Sequence, residues 1–321
     1  MRHYDVFNGD ADGICALQQL RLAQPREAVL VTGLKRDIAL LARVDAQAGD
    51  TVTVLDVSLH RNREALQALL ARGVSVEYFD HHFAGEVPVH PLLRATLDPA
   101  PGVCTSLLVD RHLDGRQRRW AVVGAFGDNM PAPAQALAAA AGLVPDEVER
   151  LRALGEAINY NAYGETQDDV LVPAARLVPL LRPFVDPLDF LARDPLAQAL
   201  VQRQAEDLAQ ALAVAPAHEL PGTTVVLLPD APWARRVLGT FANALSRRDP
   251  ARAHAVLRAS GDDAFVASVR APQRDPRGAD ALCLGFPTGG GRAAAAGIDH
   301  LAREELDGFL DALNRAFPAP H

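Results

Sequence analysis

Four short clusters in the N-terminal part of the chain carry the side chains most able to do chemistry. Asn8-Gly9-Asp10-Ala11-Asp12-Gly13 sets two carboxylates two residues apart, and Asp56 stands alone. Asp80-His81-His82 joins a carboxylate to two imidazoles, and Gly127-Asp128-Asn129 follows an apolar run. Brought together, five aspartates and two histidines could not all stay ionised unless cations balanced them, because close like charges raise one another's pKa. Bound metal is the economical answer. Oxygen and imidazole donors without thiolate suit Mn²⁺, favoured by the histidine, with Mg²⁺ as the alternative. Two such ions about 4 Å apart would clamp a phosphoryl group and generate hydroxide as the nucleophile. Each cluster alone is weak evidence. Asp-x-Asp is more often a solvated turn or a helix cap, adjacent histidines are often incidental, and Asp56 alone could be the polar end of a strand.

What strengthens the set is where each cluster falls. Tyr4-Phe7, Ala28-Thr32, Val52-Asp56 and Val74-Phe79 are β-prone runs, alternating with helix-prone Ile14-Leu22, Ile38-Val44 and Arg63-Leu70. That alternation predicts βαβ units around a parallel sheet, whose carboxyl edge is where ligands sit. The polar clusters follow the first, third and fourth of these strands. Cys104-Leu113 and Trp120-Phe126 are short apolar runs, and the second reads as a helix. From Gln135 to about Leu212 the pattern is mostly helical and broken by prolines, ending in a long helix over Pro195-Ala215. Strand candidates Thr223-Leu228, Ala255-Ala259 and Ala264-Val269, with a final helix Glu304-Phe317, predict a smaller C-terminal α/β domain. The expected boundaries are 1–190 for the catalytic domain, 191–218 for a helical linker and 219–321 for the second domain.

With 321 residues, 49% hydrophobic and 22% charged, the composition is that of a folded two-domain protein. No run reaches the roughly 18 apolar residues of a membrane span, and Met1-Arg2-His3-Tyr4-Asp5 lacks a signal-peptide core, so a cytoplasmic protein without a membrane partner is expected. Cys15, Cys104 and Cys283 are odd in number and far apart, which predicts reduced thiols rather than a disulfide framework or a thiolate zinc site. A net charge of −8 argues against a surface for long duplex nucleic acid. Lys35 is the only lysine among 32 basic residues. Together with the abundant alanine, that bias reads as a GC-rich coding sequence and carries no functional reading.

Asp10-Ala11-Asp12-Gly13, Asp56, Asp80-His81-His82 and Gly127-Asp128 resemble the four ordered motifs of the DHH phosphoesterase superfamily. In the second domain, Gly289-Gly290-Gly291-Arg292 running into Ala293-Ala294-Ala295-Ala296-Gly297 is similar to the glycine signature of the DHH-associated substrate domain, and Ser268-Val269-Arg270 to the strand before it. The resemblance spans nearly the whole chain. It implies an α/β fold, with an N-terminal parallel-sheet DHH domain, a helical connector and a smaller C-terminal α/β domain. It implies metal ligation by Asp10, Asp12, Asp56, His81 and Asp128, with Asp56 shared by two Mn²⁺ ions. His82 would face the scissile phosphate, and Asp80 would orient a neighbouring imidazole. Arg270, Gly289, Gly290, Gly291 and Arg292 would bind substrate, the glycines letting backbone N–H groups approach a phosphate or base; the bland alternative for the glycines is a plain flexible loop.

Two positions depart from the family pattern. Val6 stands where many members have a histidine, which leaves one of the two metal sites weak; Asn8 could complete it through its carbonyl oxygen or simply be a turn residue. Arg292 replaces a histidine with a group able to grip a terminal phosphate in two places. The glycine signature resembles four branches: single-strand-specific exonucleases, nanoRNases, phosphatases of 3′,5′-phosphoadenosine (pAp) and cyclic dinucleotide phosphodiesterases. The first normally adds an oligonucleotide-binding barrel, for which 321 acidic-biased residues leave little room. The expected substrate is therefore short RNA or a small nucleotide, and the sequence is compatible with a homodimer. The alternatives are a nucleotide-binding sensor with an incomplete metal site, and a metal-independent α/β scaffold.

Overall fold

The computed structural model describes residues 1–319, which divide into two units, Met1–Gln202 and one beginning at Arg203. In the first, β1 (His3–Phe7), α1 (Ala11–Ala23), β2 (Val29–Val31), β3 (Thr51–Leu55), α2 (Arg63–Ala71), β4 (Ser75–Asp80) and β5 (Leu93–Leu97) come first in the chain. The five strands form one sheet in the order β2-β1-β3-β4-β5, every pair parallel. Strand alternation sends β1 side chains to opposite faces. Phe7 joins Ile14, Leu17 and Trp120 in one apolar core, while Tyr4 and Val6 join Val31, Val54, Leu66 and Tyr78 in the other. Both faces are thus covered, as parallel sheets require.

The helices that follow are α3 (Thr105–His112), α4 (Arg118–Gly127), α5 (Pro131–Ala140), α6 (Pro145–Asn161), α7 (Ala174–Leu181), α8 (Pro187–Arg193) and α9 (Pro195–Leu212). The division between the units falls inside α9. Close approach of α4 to α1 and α6 depends on Gly127, where a Cβ would collide with the Ala11 side chain and the Gly155 carbonyl oxygen. That approach sets Asp128, the residue ending α4, over the start of α1.

The second unit contains β6 (His218–Glu219), β7 (Thr223–Leu228), α10 (Pro232–Arg248), β8 (Ala253–Ser260), β9 (Ala264–Arg270), α11 (Ala279–Cys283), β10 (Gly289–Arg292), β11 (Ala295–Ala302) and α12 (Leu306–Ala316). Its sheet runs β10-β11-β9-β8-β7-β6 and is mixed, with only β7 and β8 parallel. The expected α/β class and the two kinds of sheet are what the chain adopts.

Four local features differ from the sequence reading. Ile38-Val44 forms only a short 3-10 turn, Leu40–Arg43, because Asn62 takes its backbone: Nδ2 donates to the Ile38 carbonyl (2.6 Å) and Oδ1 accepts from Leu41 N–H (3.2 Å). The edge strand β5 is largely solvent-facing and lacks the alternation that marks a half-buried strand. The helix α10 has proline at its first turn and a buried stripe including Val237 and Phe241, a pattern the reading passed over. The glycine run Gly289–Arg292 forms a strand that the reading did not assign, paired antiparallel from Gly289↔Ile298 to Arg292↔Ala295. The three cysteines are buried and free. No helix among the described residues is long and apolar enough to cross a membrane.

Candidate metal centre

At the carboxyl edge of the first sheet, the strand ends and two helix starts bring the four clusters together. Asp10 is the N-cap of α1, accepting from Gly13 N–H at 3.1 Å, and this capping bond is why Asp-x-Asp-Gly begins a helix here. Asp12, in the first turn of α1, is buried, and its two oxygens accept Thr105 and Ser106 N–H at 2.7 Å each. These are the first amides of α3, so Asp12 serves as the anion at that helix start.

Asp56 follows β3 with φ 57°, a left-handed conformation that aspartate and asparagine accept more readily than most residues. Its Oδ1 accepts from Thr105 Oγ1 (3.3 Å) and lies 3.4 Å from His81 Nε2 and 3.9 Å from His82 Nδ1. Asp80, fully buried at the end of β4, accepts Nδ1–H of His82 at 2.7 Å.

His81 is the pivot. Its Nδ1 sits 2.8 Å from the Val103 carbonyl oxygen, which can only accept, so that nitrogen carries the proton. In the neutral ring Nε2 is then a bare lone pair. It faces three carboxylates, Asp56 (3.4 Å), Asp128 (3.9 Å) and Asp12 (4.0 Å). Among the described residues, the ligand atoms of Asp12, His81 and Asp128 lie within 4.8 Å of one another, as do those of Asp56, His81 and His82. A lone pair converging with carboxylates is unfavourable unless a proton or a metal ion lies between them. This donor set, all oxygen and nitrogen with the imidazole oriented by a backbone carbonyl, fits a divalent metal.

The electrostatics agree. Burial, then the charges of Asp10, Asp12, Asp128 and Asp80, push Asp56 well above the usual carboxylate range. Burial and Asp12 push Asp128 up to about 6 despite Lys35 nearby. Burial alone would favour neutral His82, but its bond to Asp80 and the surrounding carboxylates raise it above the ordinary imidazole value.

Asp10 behaves differently. Burial works to raise it, yet the charge and hydrogen bond of Lys35, with the Gly13 N–H and Asp56, bring it down to about 2. Lys35 Nζ donates to Asp10 Oδ2 at 2.6 Å and to Asn159 Oδ1 at 3.1 Å. Asp10 belongs to neither of the two ligand groups above. Asn8 Oδ1 accepts the Asp10 N–H at 3.2 Å, and its amide donates to the Lys35 carbonyl at 3.4 Å, which is the behaviour of a turn residue. Lys35 reaches the site through these contacts, and the sequence reading set it aside. Its signal was present as the one position in an arginine-biased chain where a compact ammonium replaces a planar guanidinium.

In the second unit, Arg270 ends β9 with its guanidinium on Asn243 Oδ1 (2.7 Å) and Ser268 Oγ (3.0 Å). Arg292 is exposed at the end of β10. Gly289 and Gly291 are confined by neighbouring backbone, at Cys283 and at Ala295-Ala296, whereas Gly290 has open space where a side chain would be.

No protein-family profile matches the chain, and no curated protein does. Solved structures do. A manganese-bound exonuclease RecJ superimposes with a TM-score of 0.62 at 18% identity, over 99% of this chain and 91% of that one. The chain has the fold of this exonuclease. RecJ from Thermus thermophilus in complex with Mn²⁺ gives 0.65 at 19% identity, over 99% of this chain and 53% of that longer one. The pGpG-specific phosphodiesterase PggH from Vibrio cholerae gives 0.58 at 15% identity, over 98% and 97%. At these identities the likeness is one of backbone path. It extends through both units of the chain.

Proposed function

We propose that the chain is a metal-dependent phosphoesterase that hydrolyses short oligoribonucleotides or small nucleotides. The observation carrying this reading is His81, oriented by Val103 so that its lone pair meets Asp12, Asp56 and Asp128. Support comes from neighbours of the same fold, a RecJ bound to manganese and a pGpG-specific phosphodiesterase. Asp12, Asp56, His81 and Asp128 would hold the ion, Mn²⁺ in preference to Mg²⁺ because of the imidazole. Bound there, it supplies Lewis acidity toward a phosphoryl oxygen and makes water a stronger acid.

The chain's own groups do the rest. His82 is 39% exposed in its side chain, and with Nδ1 committed to Asp80 it presents Nε2 to a phosphoryl oxygen. Its raised pKa favours the protonated, donating form. Asp80 is a positioning residue, holding that ring. His82→Ala is accordingly expected to lower kcat by about 100-fold while Mn²⁺ affinity changes less than about tenfold. Loss of the ion from that variant, measured by equilibrium dialysis, would mean that His82 is itself a ligand.

Substrate recognition is assigned to Arg270, Gly289, Gly290, Gly291 and Arg292 in the second unit. Exposed Arg292 is suited to a terminal phosphate. Arg292→Ala should raise KM for a 5′-phosphorylated dinucleotide about 10- to 100-fold, the worth of a charge-assisted hydrogen bond, and leave a generic diester nearly unaffected. Equal losses on both would place Arg292 at the reaction itself. The test of the whole reading is a panel of 5′-phosphorylated dinucleotides, pAp and cyclic dinucleotides incubated with Mn²⁺ and resolved by product. Release of mononucleotide is expected. Tight binding without turnover would instead establish a nucleotide sensor.

A further inference from the structure

Two observations bear on how many ions the centre takes. Val6, in the strand leading to Asp10, has no exposed surface and packs with Val31, Val52 and Val54, so it offers no donor atom to the site. Asp10, outside both ligand groups, is already paired with Lys35 at 2.6 Å. An ammonium that close leaves no room for a cation on the same oxygen.

The lysine is built into its place. A Cβ on Gly9 would overlap the Gly33 carbonyl oxygen, so the Asn8-Gly9 turn lies directly on the loop that carries Lys35. Within that loop Asp37 Oδ2 accepts Leu34 N–H (2.9 Å), and Lys35 N–H donates to the Ala162 carbonyl (3.0 Å). The ammonium also rests 5.6 Å from the centre of the Tyr163 ring. Asp10 and Asn159 accept two of its three N–H bonds, and the side chain is 29% exposed, so one donor remains for a phosphoryl oxygen.

We infer that Lys35 stands in for one of the two cations: the centre takes a single divalent ion on Asp12, Asp56, His81 and Asp128, and the ammonium balances Asp10 from within the chain. The inference rests on the phosphoesterase reading for its chemistry but not for its ion count. Arginine could not do the same, because a planar fork needs a wider site than a point charge.

The test is Mn²⁺ stoichiometry by mass spectrometry together with the electron paramagnetic resonance spectrum, both recorded without substrate. Wild type should hold one ion per chain with the spectrum of an isolated ion. Lys35→Met, close in shape and uncharged, should expose Asp10, admit a second ion at higher Mn²⁺ and show exchange coupling; its kcat/KM at limiting Mn²⁺ should fall about 100-fold. Two coupled ions in wild type would overturn the inference, as would a folded Lys35→Met protein unchanged in both count and rate. If that variant unfolds, the wild-type count alone decides. One ion without turnover on any substrate would remove the phosphoesterase reading and leave the ion count standing; two ions with turnover would do the reverse.

Discussion

Asp56→Asn is expected to reduce kcat/KM on every substrate by about 10⁴-fold or more, since the change removes a carboxylate at the centre of the ligand set. Asparagine is the informative replacement. It keeps the shape, still accepts from Thr105, and tolerates the left-handed backbone at φ 57°, which alanine does less well. What it removes is the charge facing both His81 and His82. The same variant should melt higher than wild type when metal-free, because it relieves repulsion among Asp10, Asp12, Asp80 and Asp128. Activity within tenfold of wild type would sink the metal assignment. A metal-free melting temperature below wild type would show that the charges are not in conflict.

The metal-free protein should lose stability as pH rises from about 4 through about 6, the opposite of ordinary carboxylate behaviour. The folded state holds protons on Asp56 and Asp128 that the unfolded chain releases above 3.8. Folding is therefore linked to proton binding, and raising the pH weakens it. For Asp128, the step from 3.8 to about 6 corresponds to roughly 3 kcal/mol once the pH exceeds both. His82, also raised, adds a contribution of the same sign, fully present below its unfolded value and lost as pH rises through the folded one. Asp10 and Asp5 act the other way, their depressed values giving stability that disappears only below about 4. Chelated protein should therefore melt lower at pH 7.5 than at pH 5, and Mn²⁺ should raise the melting temperature most at the higher pH. A chelated protein more stable at pH 7.5, or one that Mn²⁺ leaves unchanged there, would contradict this account.

The parallel sheet was legible because its strands are buried on both faces and read as continuous apolar runs between helical periods. The polar clusters were legible because each interrupts such a run at its carboxyl end. Edge strand β5 has no buried face to impose a pattern, and Leu40–Arg43 is shaped by Asn62 more than by its own residues. The glycines of β10 gave no strand signal, since nothing local reveals that Gly289 and Gly291 are needed where neighbouring backbone presses in. His81 was identified as a ligand, but the carbonyl that fixes its tautomer comes from Val103, a residue no motif marks. Lys35 lay outside every motif, and only the meeting of its loop with the Asn8-Gly9 turn connects it to Asp10.

A chain with one lysine has one side-chain primary amine. Acylating reagents attack the neutral amine, and burial, which would favour that form, is outweighed by Asp10, Tyr163 and Asp128, which hold Lys35 well above the usual value. In the folded protein the amine is thus protected, and in the unfolded chain it is open. Apart from the chain's own amino terminus, every acyl group that such a reagent places on an amine reports the breaking of a single salt bridge. The rate of labelling becomes a clock for local opening at the sheet edge, readable by mass without a substrate, a chromophore or an engineered tag.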